Sequence, residues 1–162
     1  MNSGKIYAAE LDDIPVLKFE GDVRVLMSST LESYFNSLYE HDSLDAMLID
    51  LSDTRGIDST TLGLLAKMAI KLKKMFNVRP TIVSTNANIT RILQSMNFGA
   101  VTDIVNEPLA DSAEFGELKQ SVDSEARIRQ RVIEAHQTLM ELSEENRLQF
   151  QDLVNALKKE AP

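Results

Sequence analysis

Two short apolar runs, Ala46–Leu51 and Arg79–Ser84, bracket a stretch of helical period, and this spacing does most to restrict the fold. Ala46-Met47-Leu48-Ile49-Asp50-Leu51 is compact and apolar on both parities, as suits a central strand covered on both faces. Behind Asp58 and Ser59, residues Leu62, Leu65, Ala69, Leu72 and Phe76 recur at spacings of three and four, which predicts a helix with one buried face. Lys67, Lys71 and Lys74 occupy another face, and Lys71, Lys73 and Lys74 suit the negative end of the helix dipole. A strand, a helix and a second buried strand in succession predict an α/β layer fold with right-handed crossovers.

The flanking segments extend the pattern. Ile6–Glu10 is a short strand, and Val16-Leu17-Lys18-Phe19-Glu20 alternates into a turn signal at Gly21-Asp22. Ser28, Ser29 and Thr30 offer N-caps for a helix burying Leu31, Tyr34, Phe35 and Leu38. Asn86 or Asn88 caps a helix through Ile89, Ile92, Leu93 and Met96, which stops at Asn97-Phe98-Gly99 before a last short strand, Val101–Val105. The first two strands are close enough to form an antiparallel edge. The expected sheet is mixed and mostly parallel, with four to five strands and helices packed on it.

The last forty residues differ in kind. Ser124 to Lys159 contains no Gly or Pro, and Ile128, Val132, Ala135, Leu139, Leu142, Asn146, Phe150, Leu153 and Leu157 form one stripe. At about 100° per residue these positions stay within roughly 40° of a common direction. This is one long amphipathic helix, or two broken near Ser143-Glu144-Glu145 with Ser143 as a cap. The narrow seam suits a coiled coil, with Asn146 placed to set register. It either folds back on its own domain or serves a homodimer or partner contact through Ile128, Val132, Leu139, Leu142 and Leu153. The expected organisation is a domain over 1–112, a linker or short helix over 113–123 and a helical extension over 124–160.

Composition narrows the function classes. The 162 residues carry a net charge of -8, which opposes binding to nucleic acid or to an anionic membrane and favours a basic protein partner. There is no cysteine, hence no thiolate metal site. The N-terminus has no signal-peptide core and no run approaches a membrane span, so a cytoplasmic protein is expected. His41 sits in a polar stretch, and His136 falls off the apolar stripe, which predicts an exposed side chain. Asp50, Asp53 and Asp58 suit strand ends and helix caps better than a magnesium or acid–base cluster. None of the six glycines lies at a phosphate-loop spacing. We expect no metal, no cofactor and no enzymatic activity.

What stands out is the hydroxyl cluster Ser59-Thr60-Thr61 directly behind Asp58. At a helix N-terminus, free N–H groups and the dipole favour an anion, so a phosphate on a hydroxyl here would be tolerated. Helix capping alone produces the same residues. Spacing leaves both readings open.

The pattern Asp50-Leu51-Ser52 through Ile57-Asp58-Ser59 to Leu62-Gly63-Leu64-Leu65, behind an apolar strand, resembles the signature of STAS domains of the anti-sigma factor antagonist type. Phe19-Glu20-Gly21-Asp22 is similar to the family's turn after its second strand, with Gly21 and Asp22 then in a partner-binding loop. Arg91–Phe98 is similar to the helix before its last strand, so the resemblance spans about 6–110. It implies that Ser59 is a phosphoacceptor, framed by Asp58, Thr60, Thr61 and Gly63. The unphosphorylated form would bind an anti-sigma factor with serine-kinase activity, phosphorylation would release it, and a serine phosphatase would reset it. The family often has Ser-Gly where this chain has Thr60-Thr61, and the terminal extension lies outside the minimal domain. A constitutive STAS binding module, such as a transporter accessory subunit, is the competing reading.

Overall fold

A computed structural model describes residues 4–109, 113–121 and 123–160. In chain order it contains β1 (Lys5–Leu11), β2 (Ile14–Val23), α1 (Ser28–Tyr39), β3 (Leu48–Ile57) and α2 (Ser59–Phe76). These are followed by β4 (Thr81–Val83), α3 (Ala87–Ser95), β5 (Asp103–Val105), β6 (Gly116–Glu117), α4 (Glu125–Leu142) and α5 (Glu144–Glu160). Among the described residues the strands form one sheet in the order β5-β4-β3-β2-β1-β6. β1 pairs antiparallel with β2, and β2 to β5 run parallel, so the mixed, mostly parallel α/β architecture is the expected one.

The sheet has six strands rather than four to five. The sixth, β6, lies in the stretch expected as linker or short helix, and pairs Gly116 and Glu117 with Ala8 and Tyr7. Two residues carry no alternation to detect; the open edge of β1 supplies their hydrogen bonds. β3 also continues past Leu51, where the apolar run ends. Its second half is polar but satisfied: Thr54 donates to the Phe19 carbonyl at 3.1 Å and Asp53 pairs with Lys18 at 2.9 Å. β2 runs on beside it to Val23, so Gly21 and Asp22 lie inside a strand and not in a loop. Gly21 takes φ 74° next to a register shift, a bulge that bends the pair without ending it.

Helix ends follow local chemistry with one exception. Asn86, not Asn88, caps α3, and α2 closes on Asn77 in the left-handed conformation. α1 has no side-chain cap, because its three leading hydroxyls face the C-terminal segment instead. The Ser28 hydroxyl accepts from Arg131, Ser29 bonds Ser121, and Thr30 donates to the Lys119 carbonyl while accepting from the Ser121 N–H.

The terminal extension is two helices. Ser143 is extended between them (φ -164°, ψ 161°), and its hydroxyl accepts from the Asn146 N–H and the Asn97 amide. They fold back as a hairpin, Arg129 of α4 reaching the Glu160 carbonyl of α5, with α4 lying along α2. Ala135, Leu139 and Phe150 join the same hydrophobic cluster as Leu62 and Leu65. The break rotates the phase of the stripe, so Val154 is buried while Leu153 is 42% exposed. Asn146 is fully buried, donating to the carbonyls of Met96 and Leu139 in its own chain. Ile128, Val132 and Leu142 are half-buried and Leu139 is fully buried, all within one chain.

Arg131 fastens α4 to the rest. Its side chain is 2% exposed, bonds Glu32 at 3.0 Å and Asp123 at 2.6 Å, and donates to Ser28. Burial alone would raise the Glu32 carboxyl, but the bonds and charges of Arg131 and Arg127 outweigh it and hold the group below its ordinary value of 4.5. The Arg131 bond likewise lowers Asp123. Carboxylates depressed in the folded state stabilise it above their ordinary values, and that stabilisation disappears as pH falls through the lower folded values. Unfolding free energy should therefore drop as pH falls below 4.5, and Glu32→Gln should blunt the drop, as urea titration across pH would show. Arg131→Ala strands two carboxylates at the same interface. We expect a loss of about 2 kcal/mol at neutral pH by urea unfolding, less than for a sealed pair because both carboxylates reach solvent.

Candidate functional site

The hydroxyl cluster forms the first turn of α2, and Asp58 sets its geometry. Asp58 is extended (φ -88°, ψ 168°), and its Oδ1 accepts from the Thr61 N–H at 2.9 Å and the Thr61 hydroxyl at 2.7 Å. Its Oδ2 accepts from the Val25 N–H at 2.8 Å. One carboxylate thus caps the helix and holds the short 3-10 turn Val25–Met27 that follows β2. That turn displays Leu26, which is 69% exposed, beside the cap. Ser59 is the first helical residue, and the cap is Asp58.

The three hydroxyls are not equivalent. Thr61 is fully buried and Thr60 is 5% exposed, whereas Ser59 is half-buried. Thr61 is committed to Asp58, with the Val23 carbonyl as a second, longer acceptor at 3.5 Å. Helix periodicity explains the sorting: Thr61 falls on the side of α2 that meets the sheet, while Ser59 shares a face with Gly63 and Lys67, four and eight residues on.

That face is covered by α4. Ser59 Oγ lies 2.7 Å from His136 Nε2, and His136 Nδ1 lies 2.7 Å from the Val132 carbonyl. A carbonyl only accepts, so Nδ1 carries a proton; in the neutral ring Nε2 then accepts from the Ser59 hydroxyl. His136 is 2% exposed and packs against Phe150 in a T-shaped contact, ring centroids 5.1 Å apart. At Gly63 a Cβ would overlap the Ala135 carbonyl and come within 2.7 Å of the Ala135 Cβ. Lys67 closes the row by pairing with Glu134 at 3.6 Å.

The exposed histidine expected from the stripe is thus buried. Its signal in the sequence is a second apolar flank on α4, Ile133 and Met140 at minus three and plus four from His136, beside the stripe that reads as the buried one. His41, by contrast, bonds only the carbonyls closing α1 and is exposed. The three aspartates do not act together: Asp50 accepts from the Ser52 N–H and hydroxyl, Asp53 pairs with Lys18, and Asp58 caps. Among the described residues no group of three or more His, Asp or Glu converges as a metal site, and no helix is long and apolar enough to cross a membrane.

The chain is a small α/β domain with a strand–cap–helix junction at Asp58 and Ser59. The family model of the STAS domain matches residues 5–114, well over half of the chain, and the chain belongs to that family. Among solved structures it is similar to an uncharacterized protein from the DUF3478 family with a SpoIIAA-like fold, from Shewanella loihica. The two share 16% sequence identity at a TM-score of 0.47, over 69% of this chain and 93% of that one.

Gly63 isolates the α2–α4 contact for measurement. Alanine is intrinsically favoured over glycine within a helix by about 1 kcal/mol. Gly63→Ala should nevertheless lower the unfolding free energy by about 1–3 kcal/mol, because the added methyl forces α4 away. Chemical denaturation, with circular dichroism as the readout, would show it.

Proposed function

We propose that this protein is an anti-sigma factor antagonist in a bacterial partner-switching pathway, with Ser59 as its phosphoacceptor. The observation that carries the reading is the sorting of the hydroxyls. Of three candidates at the α2 N-terminus, Ser59 directly follows the capping aspartate, and its two neighbours are buried. The STAS match over 5–114 supports the class of protein.

In this reading the unphosphorylated chain binds an anti-sigma factor with serine-kinase activity in the cytoplasm, and a serine phosphatase restores it after modification. The binding surface includes the exposed Leu26 that Asp58 holds beside the first turn of α2. A phosphate on Ser59 adds about -1.5 to -2 charges and three acceptor oxygens at that surface. Asp58 is already negative and engaged with three donors, so it offers the phosphate no compensation. A partner without arginines there would lose contact. The chain acts as substrate and switch; it performs no catalysis and needs no cofactor.

The bond from Ser59 to His136 also suits a constitutive STAS binding module in which the serine is structural. The two readings separate in one experiment. With the serine kinase of the same organism, wild type should gain one phosphate at Ser59 by mass spectrometry and Ser59→Ala none. Ser59→Asp should bind the anti-sigma factor at least tenfold more weakly in calorimetry. No phosphate on wild type, together with unchanged binding by Ser59→Asp, favours the constitutive module.

A further inference from the structure

The hydroxyl proposed to take phosphate is the one that seats α4. We propose that the α4–α5 hairpin is an intramolecular cap on the Ser59 surface, so that seating of the hairpin and a phosphate on Ser59 exclude each other. The inference rests on Ser59 as the acceptor and concerns how that site is controlled.

Access is the first ground. Ser59 is half-buried, but its hydroxyl is engaged by a histidine that is 2% exposed and backed by Phe150 of the second helix. A kinase must break the His136 bond before the oxygen is free to take a phosphoryl group.

Room is the second. One turn beyond Ser59, the α4 backbone lies so close over Gly63 that a single methyl does not fit. A phosphate on Ser59 would enter this seam, where His136 has already committed Nδ1 to the Val132 carbonyl and retains one nitrogen facing the site. Three acceptor oxygens and about two negative charges would meet at most one N–H from that ring.

The third ground is how the hairpin is held. Much of its attachment is polar and can be exchanged for water: the Arg131 cluster with Glu32, Asp123 and Ser28, the Lys67–Glu134 pair and the Asn97–Ser143 bond. At the joint, Asn146 Oδ1 is buried with no hydrogen-bond partner among the described residues, an acceptor that hydration on opening would satisfy. The tether keeps the opened hairpin at high effective concentration, so closure is recovered once the phosphate leaves. Coupling of this kind is reciprocal: the factor by which phosphate disfavours closure is the factor by which closure disfavours phosphate.

The test uses the full chain with phosphoserine installed genetically at position 59, compared with wild type and Ser59→Ala by hydrogen–deuterium exchange. Phosphoserine should speed exchange across residues 125–160 at least tenfold while β2 and β3 stay protected. Ser59→Ala, which loses the His136 bond without adding charge, should change it less than threefold. Unchanged protection in the phosphorylated chain overturns the cap. Equal opening by Ser59→Ala overturns it too, as does loss of protection in the sheet. Because the phosphate is installed without a kinase, the result stands apart from the acceptor reading: opening here with no phosphate gained in the kinase assay sinks that reading and leaves the cap.

Discussion

One carboxylate organises the functional end of this molecule. Asp58 stands between β3 and α2, accepting from Thr61 in the helix and from Val25 in the turn after β2. The same side chain therefore starts the helix that carries Ser59 and positions the turn that displays Leu26. N-terminal helix donors need such a partner, and capping contributes about 1 kcal/mol in typical hosts. Here the cap also spends its second oxygen on a distant segment. It thereby gives the first turn of α2 and the 25–27 turn a common reference.

The second organising contact is steric. Ser59, Gly63 and Lys67 line one face of α2, and each meets a different kind of partner on α4: a ring nitrogen, a backbone carbonyl and a carboxylate. Gly63 permits an approach that any side chain would prevent. Apolar burial of Ala135, Leu139 and Phe150 drives the docking, and the buried Arg131 cluster decides where along α1 and α2 it settles. An ion cluster at such an interface specifies geometry at least as much as it stabilises.

The strands and helices of the first hundred residues are legible in sequence because their burial is local and periodic. Leu62, Leu65, Ala69 and Leu72 write one helix face, and Met47 to Leu51 write a covered strand. Where periodicity was lacking, legibility failed. The polar half of β3 carries no apolar pattern, and becomes strand because β2 lies beside it. Ser28, Ser29 and Thr30 read as caps, yet a distant segment claims their hydroxyls. The stripe on 124–160 is real in each half, but the extended residue at Ser143 changes the phase between them.

Sequence by itself determined the α/β order of elements, the acidic and cysteine-free character of the chain, and the presence of a capped helix with hydroxyls at its start. These follow from charge, period and capping chemistry, which act over a few residues. The tertiary structure alone decided that His136 meets Ser59 across 77 positions and that the terminal helices cover their own domain. Those outcomes depend on how helices cross, and a crossing is set by shape: by the absence of a side chain at Gly63 and by the break at Ser143, whose consequences appear only when the two helices are brought together.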